Sequence, residues 1–260
     1  NDKCRIQAIC DLDPARLNLA KKLYPTVECF SDPLRLIQSN RVEAVVIATP
    51  AKSHYMLAEA SLKLGKHVLV EKPLTENSEQ AARLIELSET QKVTLMVDHT
   101  FIYTGAVRKI KELVEEGVLG DLLYFDSVRV NLGLFQHDVN VSWDLAVHDL
   151  SIMDFVLAEQ PVAISANGMS HIPGEPENIA YMTLFFPGNL IAHIHVNWLS
   201  PVKVRKTLVG GDSKMLIFDD LEPSEKIKIY DRGITVRNNP ENVYDMLVSY
   251  RTGDMLAPKL

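Results

Sequence analysis

The sequence predicts two folded regions: an α/β region built on a parallel sheet, then an α+β region with a mostly antiparallel sheet. Three observations predict this. Within the first hundred residues, short apolar runs alternate with amphipathic stretches, the βαβα order of a parallel sheet joined by right-handed crossovers. From about residue 122 onward, strand-like runs dominate, as in a separate antiparallel sheet. Between them, Gly65-Lys66-His67-Val68-Leu69-Val70-Glu71-Lys72-Pro73-Leu74 ends a short strand with a carboxylate, an ammonium and a proline. An open α/β sheet binds its ligands at such carboxyl ends. The boundary is expected near residue 101, giving regions 1–101 and 102–260.

Composition narrows the class. Apolar residues make up 47% of the 260 and charged residues 23%, ordinary for a globular protein. A net charge of -7 argues against general nucleic-acid binding. No apolar run approaches the roughly twenty residues that span a bilayer, so no membrane partner is expected. Cys4, Cys10 and Cys29 are odd in number, clustered and without metal-ligand spacing. They read as small core residues in a reducing, cytoplasmic setting, and no metal site is expected. The chain opens on Asn1, without a signal peptide, and is expected to lack its natural start.

In chain order, residues 5–10 read as a strand and 13–24 as a helix with Pro14 in its first turn. Residues 44–48 (Ala-Val-Val-Ile-Ala) lack alternation, which predicts a strand covered on both faces. A helix at 53–64 is expected to turn Met56, Leu57, Ala60 and Leu64 inward. Strand 67–70 follows, then a helix capped by Asn77 with Gln80 three residues on. That helix is expected to bury Ala81, Leu84, Ile85 and Ser88 and to lead into strand 93–97. Residues 105–116 form an amphipathic helix with Val107, Ile110 and Val114 on one stripe and Gly117 as its stop. A long strand with Tyr124, Asp126, Val128 and Val130 in one phase comes next. Further strands are expected at 162–170, 178–186, 190–198, 202–209, 214–218 and 226–230, with Phe186-Pro187-Gly188-Asn189 as a hairpin turn. Residues 238–260 read as polar and irregular.

Four strand ends collect on one edge of the first region: Asp11, Ala48-Thr49-Pro50, Glu71-Lys72-Pro73 and Asp98-His99. An acid directly after an early strand is placed to accept hydrogen bonds from an adenosine ribose. Asp11 sits there, while Asp13 suits the capping of the next helix and leaves Asp11 free. Its charge would repel a 2′-phosphate, favouring NAD over NADP. His54 reads equally as a first-turn surface histidine. A dinucleotide fold also carries a Gly-x-Gly-x-x-Gly turn before the ribose acid, yet the first glycine here is Gly65. In Trp143-Asp144-Leu145-Ala146-Val147-His148-Asp149, a helix would place Asp144 and His148 on one face, where a carboxylate prepares an imidazole for acid/base work. The same spacing also occurs in solvated pairs worth about 0.3 kcal/mol. His193 and His195 share a strand face, and Lys203, Arg205 and Lys206 form a small basic group expected to be solvated.

Together, Val45-Val46-Ile47-Ala48-Thr49-Pro50, His54 and the Gly65 to Leu74 run resemble the Gfo/Idh/MocA oxidoreductases, the glucose–fructose oxidoreductase and inositol dehydrogenase superfamily. Asp144-Leu145-Ala146-Val147-His148-Asp149 is similar to that family's second motif, and the resemblance covers residues 5–231. Asn197-Trp198-Leu199-Ser200-Pro201 and Phe218-Asp219-Asp220 resemble members acting on nucleotide sugars, such as UDP-N-acetylglucosamine 3-dehydrogenases. The resemblance implies a Rossmann-like NAD(P)-binding region lacking its first strand and glycine loop, and a sugar, polyol or nucleotide sugar bound against the second region. It implies catalytic Lys72, His148 and Asp144. Asp11, Ala48, Thr49, Pro50, His54, Glu71 and Lys72 would contact or frame the cofactor. It also implies a homo-oligomer formed through the second region's sheet, and a helical C-terminal segment missing from the chain.

Overall fold

A computed structural model of the chain describes residues 4–133, 136–231, 233–236, 248–251 and 253–260. Two units are resolved, Asn1–Asp98 and His99–Leu260.

In the first unit, β1 (Ala8–Cys10) leads to α1 (Pro14–Leu23), β2 (Glu28–Phe30) and α2 (Pro33–Gln38). There follow β3 (Ala44–Ile47), α3 (His54–Lys63), β4 (His67–Val70), α4 (Ser78–Gln91) and β5 (Leu95–Val97). Both α1 and α2 begin with an aspartate cap and a proline: the Asp13 and Asp32 carboxylates accept from Ala15 N and Leu34 N. All pairing is parallel, but in two pieces, β1 with β2 and β3-β4-β5 in order. The core, including Ile37, Val45, Ile47, Leu57, Leu62, Val68, Val70 and Leu84, lies on one side of β3 and β4.

That one-sidedness corrects two expectations. β3 is not covered on both faces: Val45 and Ile47 are buried, whereas Val46 is 69% exposed. On α3 the buried residues are His54, Leu57, Ala58, Ser61 and Leu62, while Met56 and Leu64 point outward. Polar groups earn interior places there because they are bonded, as Ser61 Oγ is to Leu57 O at 2.7 Å. On α4, Leu84 and Ser88 are buried, Ile85 is exposed and Leu87 packs in its place. Cys4 is exposed and not a core residue; Cys10 and Cys29 are half-buried free thiols.

The second unit opens with a 3-10 turn (Thr100–Tyr103) and α5 (Gly105–Glu115), which Gly117 closes at φ +69° with Val118 N bonded back to Leu113 O. β6 (Leu122–Leu132) follows, then a π-helical turn (Ser142–Ala146) continuing as α6 (Val147–Val156). The remaining strands are β7 (Ala163–Met169), β8 (Ile179–Phe185), β9 (Ile191–Asn197), β10 (Leu199–Gly211), β11 (Met215–Asp219), β12 (Ile227–Tyr230), β13 (Gly233–Val236), β14 (Val248–Arg251) and β15 (Met255–Leu256). Eight of them form one sheet, ordered β15-β12-β11-β10-β6-β9-β8-β7, antiparallel except for the β6–β9 pair. Gly188, at φ +74°, turns the β8–β9 hairpin.

Residues of α5 and α6 share one core with Phe125, Ala192, Ile194, Val196, Val209 and Leu216 from one face of this sheet. His193 and His195 alternate with those residues and so occupy the opposite face, where Tyr181 stacks on His195 at 4.4 Å. They do not stand on the face that α6 covers. Arg205 and Lys206 are ion-paired with Asp220 and Asp219, both at 3.2 Å, and Lys203 is exposed, so the basic group is part paired and part solvated. The irregular tail is partly strand: β14 pairs with β13, and β15 extends the main sheet, while residues 237–247 and 252 lie outside the described ones. Among the described residues no helix is long and apolar enough to cross a membrane.

Gly211 makes a sharp packing test. A Cβ there would lie 2.1 Å from the backbone oxygen of Leu119. Gly211→Ala is expected to cost about 1–3 kcal/mol, seen as a lower urea midpoint at unchanged slope. His195 makes a pH test. Burial, then the neighbouring His193, push its pKa below the ordinary imidazole value. Below that ordinary value the unfolded chain therefore binds more protons, and stability falls as pH drops from 7.5 toward 5.5. His195→Gln should flatten that dependence in paired urea titrations.

Candidate functional site

The first unit builds its candidate edge where β3 and β4 end. The parallel ladder runs past both strands, with Glu71 N bonded to Ile47 O at 2.9 Å and Asp98 N to Val70 O at 2.8 Å. Beyond β3, Ala48, Thr49 and Pro50 are exposed; beyond β4, Glu71 and Lys72 are half-buried and the Lys72–Pro73 bond is cis. Ser53 Oγ donates to Pro50 O at 2.8 Å, so the 2.6 Å contact with Thr49 Oγ1 has threonine as donor.

His54 is the unexpected member. It is 1% exposed, neither a surface residue nor a pocket wall. Its Nδ1 meets Pro73 O at 2.7 Å, and its Nε2 meets Thr49 O at 2.7 Å. Carbonyls only accept, so both contacts are satisfied only when both ring nitrogens carry hydrogens. One side chain thus ties the loop bearing Thr49 and Pro50 to the loop bearing Glu71 and Lys72.

Asp11 follows β1, in the two-stranded piece, and no strand pairing among the described residues links it to the other three strand ends. Asp13 does cap α1, yet Asp11 is not left free. Its Oδ1 accepts from Asp13 N at 2.8 Å, and its Oδ2 lies 3.5 Å from the exposed Arg16 guanidinium. An aspartate so close to its own helix start also closes a local turn.

In the second unit, Asp144 lies in the π-helical turn and His148 in the first turn of α6, both half-buried, so the stretch is not one uniform α-helix. Side-chain anchors flank the wide turn. Buried Trp198 donates through Nε1 to Asp144 Oδ2 at 3.1 Å, and Asp149 takes Arg129 Nε at 2.8 Å. The His148 ring meets Phe101 edge-on, centroids 5.1 Å apart. π-helical turns recur at functional sites.

Trp198, Phe101 and Arg129 were not singled out as site residues by sequence. Arg129 left a signal: a charge on strand β6 in phase with Phe125 and Ser127, the buried positions. The residues present suit a nicotinamide dinucleotide at its ribose and nicotinamide ends, with an acid after β1 and exposed strand-end loops at β3 and β4. No Gly-x-Gly-x-x-Gly occurs in these 260 residues to cradle its phosphates. Among the described residues no group of three or more His, Cys, Asp or Glu is arranged for a metal.

Parallel strands with charged residues past their carboxyl ends, followed by a mostly antiparallel sheet, define a Rossmann-type two-region architecture, and comparison with known proteins gives its family. Residues 1–99 match the family model for the oxidoreductase family with an NAD-binding Rossmann fold, and residues 107–217 match the GFO/IDH/MocA C-terminal domain. The chain belongs to the GFO/IDH/MocA oxidoreductase family. An uncharacterized oxidoreductase of Escherichia coli, YdgJ, is 29% identical over 78% of this chain and 61% of its own length. A UDP-N-acetylglucosamine 3-dehydrogenase of Acidithiobacillus ferrooxidans is 26% identical over 84% and 68%. The crystal structure of the WlbA dehydrogenase of Bordetella pertussis, in complex with NADH and UDP-GlcNAcA, superposes with a TM-score of 0.76 at 18% identity, covering 83% of this chain and 66% of that one. The chain spans about half to two thirds of the length of the curated relatives it matches.

His54→Phe would remove the ring nitrogen beside the buried carbonyl of Pro73 and the one beside the more exposed carbonyl of Thr49. A stability loss of about 1–3 kcal/mol, that of one buried acceptor left unpaired, is expected in urea unfolding, with His54→Gln recovering part of it.

Proposed function

We propose that the chain carries the machinery of an NAD-dependent dehydrogenase that moves a hydride between nicotinamide and a secondary hydroxyl or keto group of a sugar, a nucleotide sugar being the favoured class. The observation that carries this reading is the station of Lys72, directly past the carboxyl end of the middle strand of β3-β4-β5, on a loop whose backbone His54 holds. Family membership supports it, as do the relatives described as acting on, or bound to, nucleotide sugars.

In this reading the Lys72 ammonium donates to the reacting oxygen and stabilises the charge that gathers there. His148 takes the hydroxyl proton in oxidation and returns it in reduction. Asp144, held by Trp198, orients that imidazole. Glu71 places Lys72, Asp11 accepts from the cofactor ribose, and Ala48, Thr49 and Pro50 frame the nicotinamide edge that His54 fixes from below. NAD, when bound, supplies the ring carbon that accepts the hydride. Residues 1–101 serve the cofactor and 102–260 the substrate. The sheet face bearing Tyr181, Phe185 and Ile191, all exposed, supports self-association through that sheet. Three free thiols fit a reducing, cytoplasmic setting.

A second reading changes the cofactor. Arg16 stands 3.5 Å from Asp11, and an arginine near the ribose acid accommodates a 2′-phosphate, so NADP is the competitor. Inositol or a free sugar is the competing substrate class.

Lys72→Met and His148→Asn are each expected to lower turnover by about 1000-fold with NAD affinity changed less than twofold. Turnover is followed at the reduced-nicotinamide absorbance over a panel of nucleotide sugars, and affinity by calorimetry. The chain is measured alone and preceded by a family-type strand and glycine loop. No NAD binding in either form, or full turnover in Lys72→Met, overturns the assignment.

A further inference from the structure

Arg129 and Asp149 form a charged pair inside the core of the second unit, at 4% and 2% exposure. The Asp149 carboxylate is fully engaged. Oδ2 accepts from Arg129 Nε at 2.8 Å, and Oδ1 accepts from Nη2 at 3.1 Å and from Ser127 Oγ at 2.8 Å. Thr207 Oγ1 lies 3.3 Å from Ser127 Oγ, and the two residues are cross-strand partners on β10 and β6. The residue after His148 is therefore pinned to β6, and through Ser127 linked to β10 beside it. Replacing such a pair by apolar residues is often neutral or stabilising, so its retention calls for a purpose other than stability.

The purpose lies on the other side of the guanidinium. Arg129 Cζ sits 4.6 Å from the centroid of the Phe101 ring, and the same ring meets His148 edge-on at 5.1 Å and 72°. The guanidinium cannot slide, because its fork is spent on Asp149. It cannot lose its charge either, because arginine stays protonated throughout the working range. Phe101 is thus a wedge between an immobile cation and the imidazole.

We propose that Arg129 and Phe101 are positioning residues for His148: the guanidinium, fixed by Asp149, sets the ring of Phe101, and that ring sets the orientation and proton affinity of the imidazole. This rests on His148 as the proton-transferring group. In this assignment Arg129 acts on His148 through Phe101, whose ring meets both groups.

The test uses Arg129→Lys, which leaves Asp149 a cationic partner, Phe101→Leu, which keeps apolar packing, and the double variant, all in the full chain with 13C-labelled histidine. The His148 signal is identified by its loss in His148→Asn. Arg129→Lys is expected to shift the His148 ring signal and its titration midpoint. It should lower kcat about tenfold with KM within twofold, and displace the pH profile of kcat in step with the midpoint. In the Phe101→Leu background the same substitution should add less than a twofold change, and Phe101→Tyr should restore wild-type values. An unmoved His148 midpoint in Arg129→Lys, or an equal shift with and without the Phe101 ring, overturns the proposal. If Arg129→Lys fails to fold, Phe101→Leu against Phe101→Tyr decides by the same midpoint. The resonance arm needs no turnover, so it stands apart from the dehydrogenase assignment, which fails if His148→Asn keeps full activity.

Discussion

A parallel strand that ends inside a protein leaves backbone oxygens with no ladder partner, and each needs a donor. In the first unit one histidine ring places a nitrogen against a carbonyl of each of two loops. The His54 ring nitrogens meet Thr49 O and Pro73 O, and those oxygens flank Pro50 on one side and Lys72 on the other. The rigidity of the edge is therefore local in origin. It arises from two short hydrogen bonds and from ladder bonds that continue past the strands, from Glu71 to Ile47 and from Asp98 to Val70. A lysine at the end of a strand is otherwise a long, mobile cation; anchoring its peptide neighbours limits where the ammonium can go.

The second unit solves a related problem with charge. Asp144 and His148 stand on either side of the junction where the π-helical turn passes into α6, and apolar packing alone would let that junction slide. Directional bonds do not. Trp198 grips Asp144 and Arg129 grips Asp149, one on each side of the turn where the helix changes from π to α. Both grips begin from buried side chains of the sheet unit, so the helix inherits the stiffness of the β6 and β9–β10 region. Buried directional contacts contribute geometry here more than net stability, since a desolvated ion pair gains little over well-packed hydrocarbon.

Much of this was legible from residue order. Strands, helices and the hairpin at Gly188 followed from apolar periodicity and turn residues, and the family followed from the Glu71-Lys72-Pro73 and Asp144 to Asp149 stretches. What escaped has a common cause: apolarity was used as the measure of depth. His54 and Ser61 are deep because they are hydrogen-bonded, while Met56 and Leu64 on the same helix are exposed. On β6 the buried Phe125, Ser127 and Arg129 share one phase, two of the three polar, so apolarity alone does not mark which phase faces inward. The alternating burial of β3 was hidden because Val45, Val46 and Ile47 are chemically alike, and only the covering of each face distinguishes them. The engagement of Asp11 with Asp13 N is a turn bond between residues two apart, available in sequence to a reader who asks what each aspartate near a helix start accepts.

The parallel pairing of β6 with β9 has a cost in time. β6 is the inner strand on which the eight-stranded sheet is assembled, yet both of its neighbours are made later: β9 begins about sixty residues further on and β10 follows it. At ribosomal speeds of roughly 5–20 residues per second, the finished strand waits roughly 3–12 seconds with both edges open. A wholly aliphatic strand in that position would be a template for association with other nascent chains. The arginine and serine on its inner face interrupt such a run, and the same two residues grip Asp149 once the unit is folded.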